Sequence, residues 1–184
     1  MKKLSDSYCV LNLMNVWGKI YYCSAFCVAR KVLLTACHCL EGRFPYYIES
    51  NKRWNLEEIF SISSQELTFL FCPSPFEPVE LREPELFEPV IVPVRFENYV
   101  GMLSPGKVIY IDEVFGRVVL SNKILSGTSG APIIAVKDKK VVGMITGSLT
   151  WRNQGSEFFA YGISASIIKK YLEKAIEEVR KWKK

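Results

Sequence analysis

Residues 72–94 read CPSPFEPVELREPELFEPVIVPV and hold six of the nine prolines in the chain, among them three Glu-Pro pairs. Proline has no amide proton and a fixed φ, so a stretch this rich in it excludes helix and interior strand. It reads as an extended connector over residues 73–93, and a fold must form on either side of it. With 184 residues, 49% of them hydrophobic, the chain is long enough to bury one good core or two adjoining ones.

Before the connector, residues 8–40 are rich in Val, Ile, Tyr, Phe and Cys in short runs punctuated by Gly18 and Arg30-Lys31, the pattern of successive strands with tight turns. Residues 66–71, ELTFLF, give one more after a polar loop. After the connector, residues 106–111, 116–120, 131–136, 141–146 and 158–163 supply about five further strands at the spacing of a barrel or sandwich. The second half mirrors the first. The last segment changes period: Ile167, Ile168, Tyr171, Leu172, Ala175, Ile176, Val179 and Trp182 share one helical face, with Ser164 or Ser166 placed as cap. This predicts a helix over residues 164–184 docked on the second half.

No run of eighteen or more apolar residues occurs, and the opening MKKLSDSYCVLNLMNVWG has its apolar residues broken by Ser, Asp and Asn. Neither a membrane span nor a secretory signal is read from it, so the expected compartment is intracellular. Six cysteines, abundant Lys and Glu, and glutamine only as Gln65 and Gln154 fit a thermophilic source. Residues 169–184 carry seven Lys or Arg against three Glu, which is +4 of the +5 net charge. The body is near neutral, and no nucleic-acid partner is expected. Basic residues in a last helical turn complement the helix dipole, and that reading is preferred here to a membrane or acidic partner.

Chemistry concentrates in two places. In Ser126-Gly127-Thr128-Ser129-Gly130-Ala131-Pro132, glycines on both sides of a serine allow a tight turn that leaves the hydroxyl uncovered and aims backbone N–H groups at one space. The same string also suits an ordinary hairpin turn. A serine hydroxyl needs a base to attack a carbonyl, and His38, within Leu33-Leu34-Thr35-Ala36-Cys37-His38-Cys39-Leu40, is the only histidine. It also admits a core role or, with Cys23, Cys27, Cys37 and Cys39, a zinc site, although Cys37 and Cys39 stand too close for an ordinary knuckle. A histidine base needs a carboxylate to fix its tautomer. Glu66 heads a strand between the two elements and is the candidate, with Asp112 in reserve.

In these residues the chain resembles the chymotrypsin-fold serine proteases. CSAFCVARKVLLTACHC, residues 23–39, is similar without a gap to the family's block around its catalytic histidine, and GTSGAPI, residues 127–133, to its nucleophile turn. GTSGAPI is closer still to the version in flavivirus proteases, and FFAYGIS, residues 158–164, looks like a segment of the bacterial heat-shock proteases. The resemblance implies two six-stranded antiparallel β-barrels, residues 1–72 and 94–163, with a C-terminal α-helix, in an organism of thermophilic or viral kind.

It also implies a serine endopeptidase acting on polypeptides without cofactor or metal. Ser129 would be the nucleophile, His38 the base, Glu66 the third member, and the N–H groups of Gly127 and Ser129 the oxyanion hole. Thr146, Gly147 and Ser148 would wall the substrate groove, Lys123 would favour an acidic substrate residue, and Cys23 would be bonded to Cys39. Cys9, Cys27 and Cys72 are expected in the core.

Three departures stand out. Glu66 replaces the usual Asp, and its extra methylene moves the carboxylate by about 1.5 Å, where an error of about 1 Å can cost 10²-fold. Cys37 replaces a small residue. Thr128 stands where an aspartate pairs with a new N-terminus, so activation by propeptide cleavage is not expected. Two alternatives to the peptidase stay open: a protease-fold binding module with little turnover, and a structural protein that cleaves itself once.

Overall fold

The computed structural model describes residues 6–49, 52–73, 76–96, 99–150 and 158–181. The first half contributes β1 (Tyr8–Asn15), β2 (Ile20–Ala29), β3 (Val32–Ala36), β4 (Arg43–Glu49), β5 (Lys52–Asn55), β6 (Glu57–Ile62) and β7 (Leu67–Phe71). The second contributes β8 (Pro89–Phe96), β9 (Tyr99–Asp112), β10 (Arg117–Leu120), β11 (Pro132–Ala135), β12 (Val141–Thr150) and β13 (Phe158–Ser164), followed by α1 (Ala165–Lys181).

The first-half strands form one curled sheet in the order β5-β4-β1-β2-β3-β7-β6, every neighbour antiparallel. The alternating sequence sets its faces: Leu11 and Leu13 of β1, Ala25 and Cys27 of β2, and Phe69 of β7 are fully buried in one core with Phe26, Leu33 and Leu34. Tight turns join the strands. At the tip of the first hairpin the Asn15 side chain accepts hydrogen bonds from the N–H groups of Trp17 and Lys19 (3.1 and 2.9 Å). The next turn closes with Lys31 in the left-handed region (φ 67°).

Among the described residues the expected six-stranded first barrel is instead a sheet of seven strands with two edges. β5 pairs only with β4 and β6 only with β7, so the hydrogen-bond ladder does not close. Other elements fill the opening. Phe76, in the connector, packs against Tyr47 (ring centroids 5.2 Å apart), and the Lys174 ammonium of α1 sits over the Phe60 ring (4.7 Å).

The second half closes as expected, in the order β10-β13-β12-β11-β8-β9. Its interior is Val90, Val92, Val108, Leu120, Ile133, Val142 and Ile145. β8 begins at Pro89, inside the stretch whose prolines argue against strand. Pro89 opens the strand, and Pro93, paired with Leu103 of β9, lies beyond Val90 and Ile91, the residues paired with β11, so it stands where β8 has a partner on one side only.

The connector is fastened to both halves. Val79 N–H donates to Cys27 O (2.9 Å), Val141 N–H to Glu80 O (2.8 Å) and Arg82 N–H to Val141 O (3.1 Å). Arg82 then grips Glu88 (Nη2 to Oε2, 2.6 Å) and Asp138 (Nε to Oδ2, 2.6 Å). These carboxylates hold the guanidinium pKa above its ordinary value, with the Glu88 hydrogen bond the largest cause.

α1 widens a further expectation. It docks on β12 and β13 of the second half, as expected, but also on β2, β3, β6 and β7, and its buried residues Ile168, Ala175 and Val179 join a core shared between the first-half sheet and the outer face of the barrel. The reason lies in β13, whose alternation turns Ala160 into the second barrel while Ile163 faces the first-half core, so the helix that continues it runs over the open sheet. Trp182 lies outside the described residues. No helix among the described residues is long and apolar enough to cross a membrane.

Candidate active site

β3 ends at Ala36 and passes into a 3-10 turn, Cys37–Cys39, that carries His38. Two devices hold the turn. Cys39, fully buried, is joined to Cys23 of β2 by a disulfide with Cα atoms 6.3 Å apart, and the Arg43 guanidinium donates to Cys39 O (3.1 Å) and His38 O (3.4 Å). Arg43 itself stacks over Tyr21 at 4.4 Å, a cation–π contact that fixes its direction.

Glu66 stands where another short 3-10 turn, Ser63–Gln65, meets β7. It is not the first residue of the strand, as the sequence suggests, but a left-handed residue before it (φ 57°, ψ 29°). Its carbonyl accepts the Cys37 N–H (3.0 Å) and its carboxylate Oε2 accepts from the His38 N–H (3.3 Å). The same Oε2 lies 2.9 Å from His38 Nδ1. A left-handed backbone at Glu66 thus goes with a carboxylate that reaches the His38 ring. With Nδ1 bonded to a carboxylate, the neutral ring keeps its proton there and leaves Nε2 as acceptor.

The serine turn comes from the other half, between β10 and β11. Gly127 (φ 91°) and Gly130 (φ 86°) adopt conformations that favour glycine, and Thr128 between them is buried, with its N–H donating to Leu125 O (3.1 Å). A Cβ on Gly130 would stand 2.0 Å from Ser24 O and 2.6 Å from Thr35 Oγ1, so only glycine permits the two halves to meet this closely. Three hydrogen bonds fix the turn: Gly130 N–H to Ile145 O (2.8 Å), Ser24 N–H to Ser129 O (2.8 Å) and Ser24 Oγ to Gly127 O (3.0 Å). The Ser129 carbonyl also lies 3.9 Å from Cys39 Sγ, which brings the serine turn beside the histidine turn.

Ser129 is half-buried. Among the described residues no hydrogen bond is made by its hydroxyl or by the N–H groups of Gly127 and Ser129. Catalytic hydrogen bonds in unliganded enzymes are often long and tighten when substrate binds.

The remaining sequence candidates fall at varied places. Thr146 is buried and directs its hydroxyl to Tyr161 O (3.5 Å), while Gly147 pairs with Tyr161 and Ser148 with Ala160 across β12 and β13. The Tyr161 ring occupies the side-chain space of Gly147, with its hydroxyl 2.6 Å from where a Cβ would be. Lys123 is exposed, continuing the alternation in which Ser121 is exposed and Asn122 buried. Asp112 is engaged in its own turn, accepting from the N–H groups of Val114 and Phe115 (both 3.0 Å).

With Cys23 and Cys39 joined, the four-sulfur arrangement a zinc ion would need is not formed. Among the described residues no group of three or more His, Cys, Asp or Glu is placed to hold a metal. Cys27 and Cys72 are buried and Cys9 partly so, and burial is the main cause that pushes the Cys27 thiol up to about 12.

Ser24 escaped the sequence reading. A signal was present: a serine set among Cys23, Ala25, Phe26 and Cys27 is a buried polar group that must find partners, and these partners lie in the other half.

A closed barrel and a curled sheet, meeting where the turn that carries His38 lies beside a glycine-flanked serine turn and backed by a C-terminal helix, make the chymotrypsin-like serine protease fold. The chain belongs to the trypsin-like peptidase domain family, whose profile matches residues 23–144, more than half of its length.

Solved structures agree on the fold. The serine endoprotease from Yersinia pestis superposes with a TM-score of 0.74 at 16% identity, over 92% of this chain and 63% of that one. A protease from M. tuberculosis in its active form gives 0.75 at 15% identity, over 92% and 81%. The HtrA-type protease AlgW with a tripeptide gives 0.78 at 14%, over 94% and 60%. The chain thus spans less than two thirds of the length of the first and third of these. No curated protein matches it significantly in sequence.

Proposed function

We propose that the chain is a serine endopeptidase with a Ser129–His38–Glu66 triad. The observation that carries this reading is the 2.9 Å contact between His38 Nδ1 and Glu66 Oε2, on a turn held beside the serine turn. In the reaction, Ser129 Oγ attacks the peptide carbonyl carbon while His38 Nε2 takes the hydroxyl proton. Glu66 accepts the hydrogen bond of Nδ1–H and stabilises the imidazolium. The oxyanion is held by the N–H groups of Gly127 and Ser129, donors with no other duty among the described residues. His38 then returns the proton to the departing amine, and water, activated by the same imidazole, hydrolyses the acyl-enzyme.

The substrate is a polypeptide whose backbone lies along Gly147 and Ser148, beside Thr146. Lys123, exposed and charged, favours an acidic side chain next to the cleaved bond.

Labelling with a fluorophosphonate tests the reading. An adduct on Ser129, absent from Ser129→Ala, is expected; a wild type that stays unlabelled in its native state would instead be a protease-fold binding module. Glu66→Gln keeps the size of the side chain but loses its charge, and kcat should fall by up to about 10⁴-fold, the scale seen when a triad carboxylate is neutralised. An unchanged turnover would mean that another group orients His38. Unchanged C-terminal masses of wild type and Ser129→Ala after expression would argue against self-cleavage.

A further inference from the structure

Ser24 lies in β2, 1% exposed, with every polar group engaged. Its carbonyl accepts from Thr35 Oγ1 (2.8 Å), its N–H donates to Ser129 O (2.8 Å), and its hydroxyl donates to Gly127 O (3.0 Å). A carbonyl can only accept, so the single hydroxyl proton of Ser24 is committed to Gly127. The contact of 3.1 Å between the Tyr8 and Ser24 hydroxyls must then run from Tyr8 O–H to Ser24 Oγ. The result is a one-directional chain, from Tyr8 of β1 through Ser24 of β2 to the carbonyl of Gly127 in the other half. In a buried setting, consecutive hydrogen bonds of this kind polarise one another.

The two carbonyls that Ser24 grips, of Gly127 and Ser129, lie in the 127–128 and 129–130 peptides, which flank the peptide carrying the Ser129 N–H, a donor with no partner among the described residues. Gly127 has no side chain and sits at φ 91°, so little in its own conformation fixes the peptide that follows it. Its orientation is set from outside. We infer that Ser24 and, through it, Tyr8 are positioning residues that hold the oxyanion-binding N–H groups aligned, making the first strand of one half part of the catalytic apparatus of the other. The inference rests on the Ser129 reading above.

The test compares the rate of fluorophosphonate labelling, and kcat and KM on a peptide substrate, in wild type, Ser24→Ala, Tyr8→Phe, the double variant and Ser24→Thr. Ser24→Ala should lower the labelling rate and kcat about tenfold, the scale of one hydrogen bond, with KM unchanged. Tyr8→Phe should lower them about threefold, because it weakens the chain without removing its last link. The double variant should be no slower than Ser24→Ala, and Ser24→Thr, which retains the hydroxyl, should recover most of the loss. Unchanged rates in both single variants, or losses that multiply in the double variant, would overturn the inference. If Ser24→Ala does not fold, Tyr8→Phe decides: a slower rate at an unchanged melting temperature supports it and an unchanged rate refutes it. Should the wild type itself fail to label, the proposed function falls first; a labelled wild type with an equally reactive Ser24→Ala removes this inference alone.

Discussion

The two halves of the molecule carry comparable numbers of strands but reach a closed core by different routes. The second half closes its own ladder, and its core draws on its own strands apart from Tyr8 and Val10. The first keeps two edges and borrows: Ile168, Ala175 and Val179 come from α1, and Ile134, Val141, Met144 and Ile163 from the outer face of the barrel. Its edges also carry charge, Lys52 and Arg53 on β5 and Glu57 and Glu58 on β6, which discourages pairing with another chain. The difference teaches a dependence. The half that is earliest in sequence is completed by the latest, so His38 and Glu66 stand on a scaffold that is finished only when α1 docks.

That asymmetry can be broken most forcefully at the helix. Ala175→Asp places an unpaired carboxylate in the borrowed core and should cost about 4 kcal/mol, read by urea unfolding. Hydrogen exchange should rise in β2, β3 and β7 while β8 to β13 stay protected; equal loss in both halves would contradict the dependence. Reduction of Cys23–Cys39 acts inside the first half and should cost about 3 kcal/mol on the chain-entropy account of its loop. Thermal melts with and without a reductant, compared with Cys23→Ala/Cys39→Ala, measure it.

Glu66→Asp sharpens the comparison at the site. The shorter side chain on an unchanged left-handed backbone withdraws the carboxylate from Nδ1, and kcat should fall about 10²-fold with KM and the melting temperature nearly constant.

The smallest effect belongs to the clamp between the halves. Arg82→Met takes from Glu88, almost fully buried, its charged partner and leaves it the Glu85 N–H (2.7 Å), and should cost about 1–2 kcal/mol at neutral pH. The effect should fade in acid. The Asp138 carboxyl is held below its ordinary pKa chiefly by the Arg82 hydrogen bond, and the Glu85 carboxyl chiefly by Lys137. Stability from such depressed groups is complete above the unfolded-state value near 4 and disappears as pH falls through the lower folded-state value. Wild type and Arg82→Met should therefore draw together as pH falls from the unfolded-state carboxylate value through the lower folded-state value of Asp138, read in pH-dependent melts.

Most of the strands were legible because their signals are local. Alternation and turn residues predict runs that overlap β9 to β13, although β9 begins at Tyr99 and not at Gly106, and the change of period at Ser164 marks α1, whereas β4 to β6 lie where the sequence reads as a polar loop. β8 was hidden by its prolines, since composition cannot tell a strand end from its middle. The docking of α1 on the second half was legible but its reach over the first-half sheet was not, because an apolar stripe says that a helix is buried without saying against what. At the site, His38 and the serine turn were legible from residue types and glycine spacing. The left-handed backbone of Glu66 and the reach of Ser24 were not, because each is set by contacts between segments far apart in the chain.

The backbone of Glu66 carries a consequence for anyone who would rebuild this groove. Side-chain length and turn handedness are two halves of one dimension: a longer carboxylate from a retracted Cα and a shorter one from an advanced Cα can reach the same imidazole. Exchanging only one of them should fail, and an Asp at position 66 should regain activity only with a re-cut Ser63–Gln65 turn that moves the chain forward. What looks in the sequence like a conservative letter change would call for a coordinated shift of a whole loop.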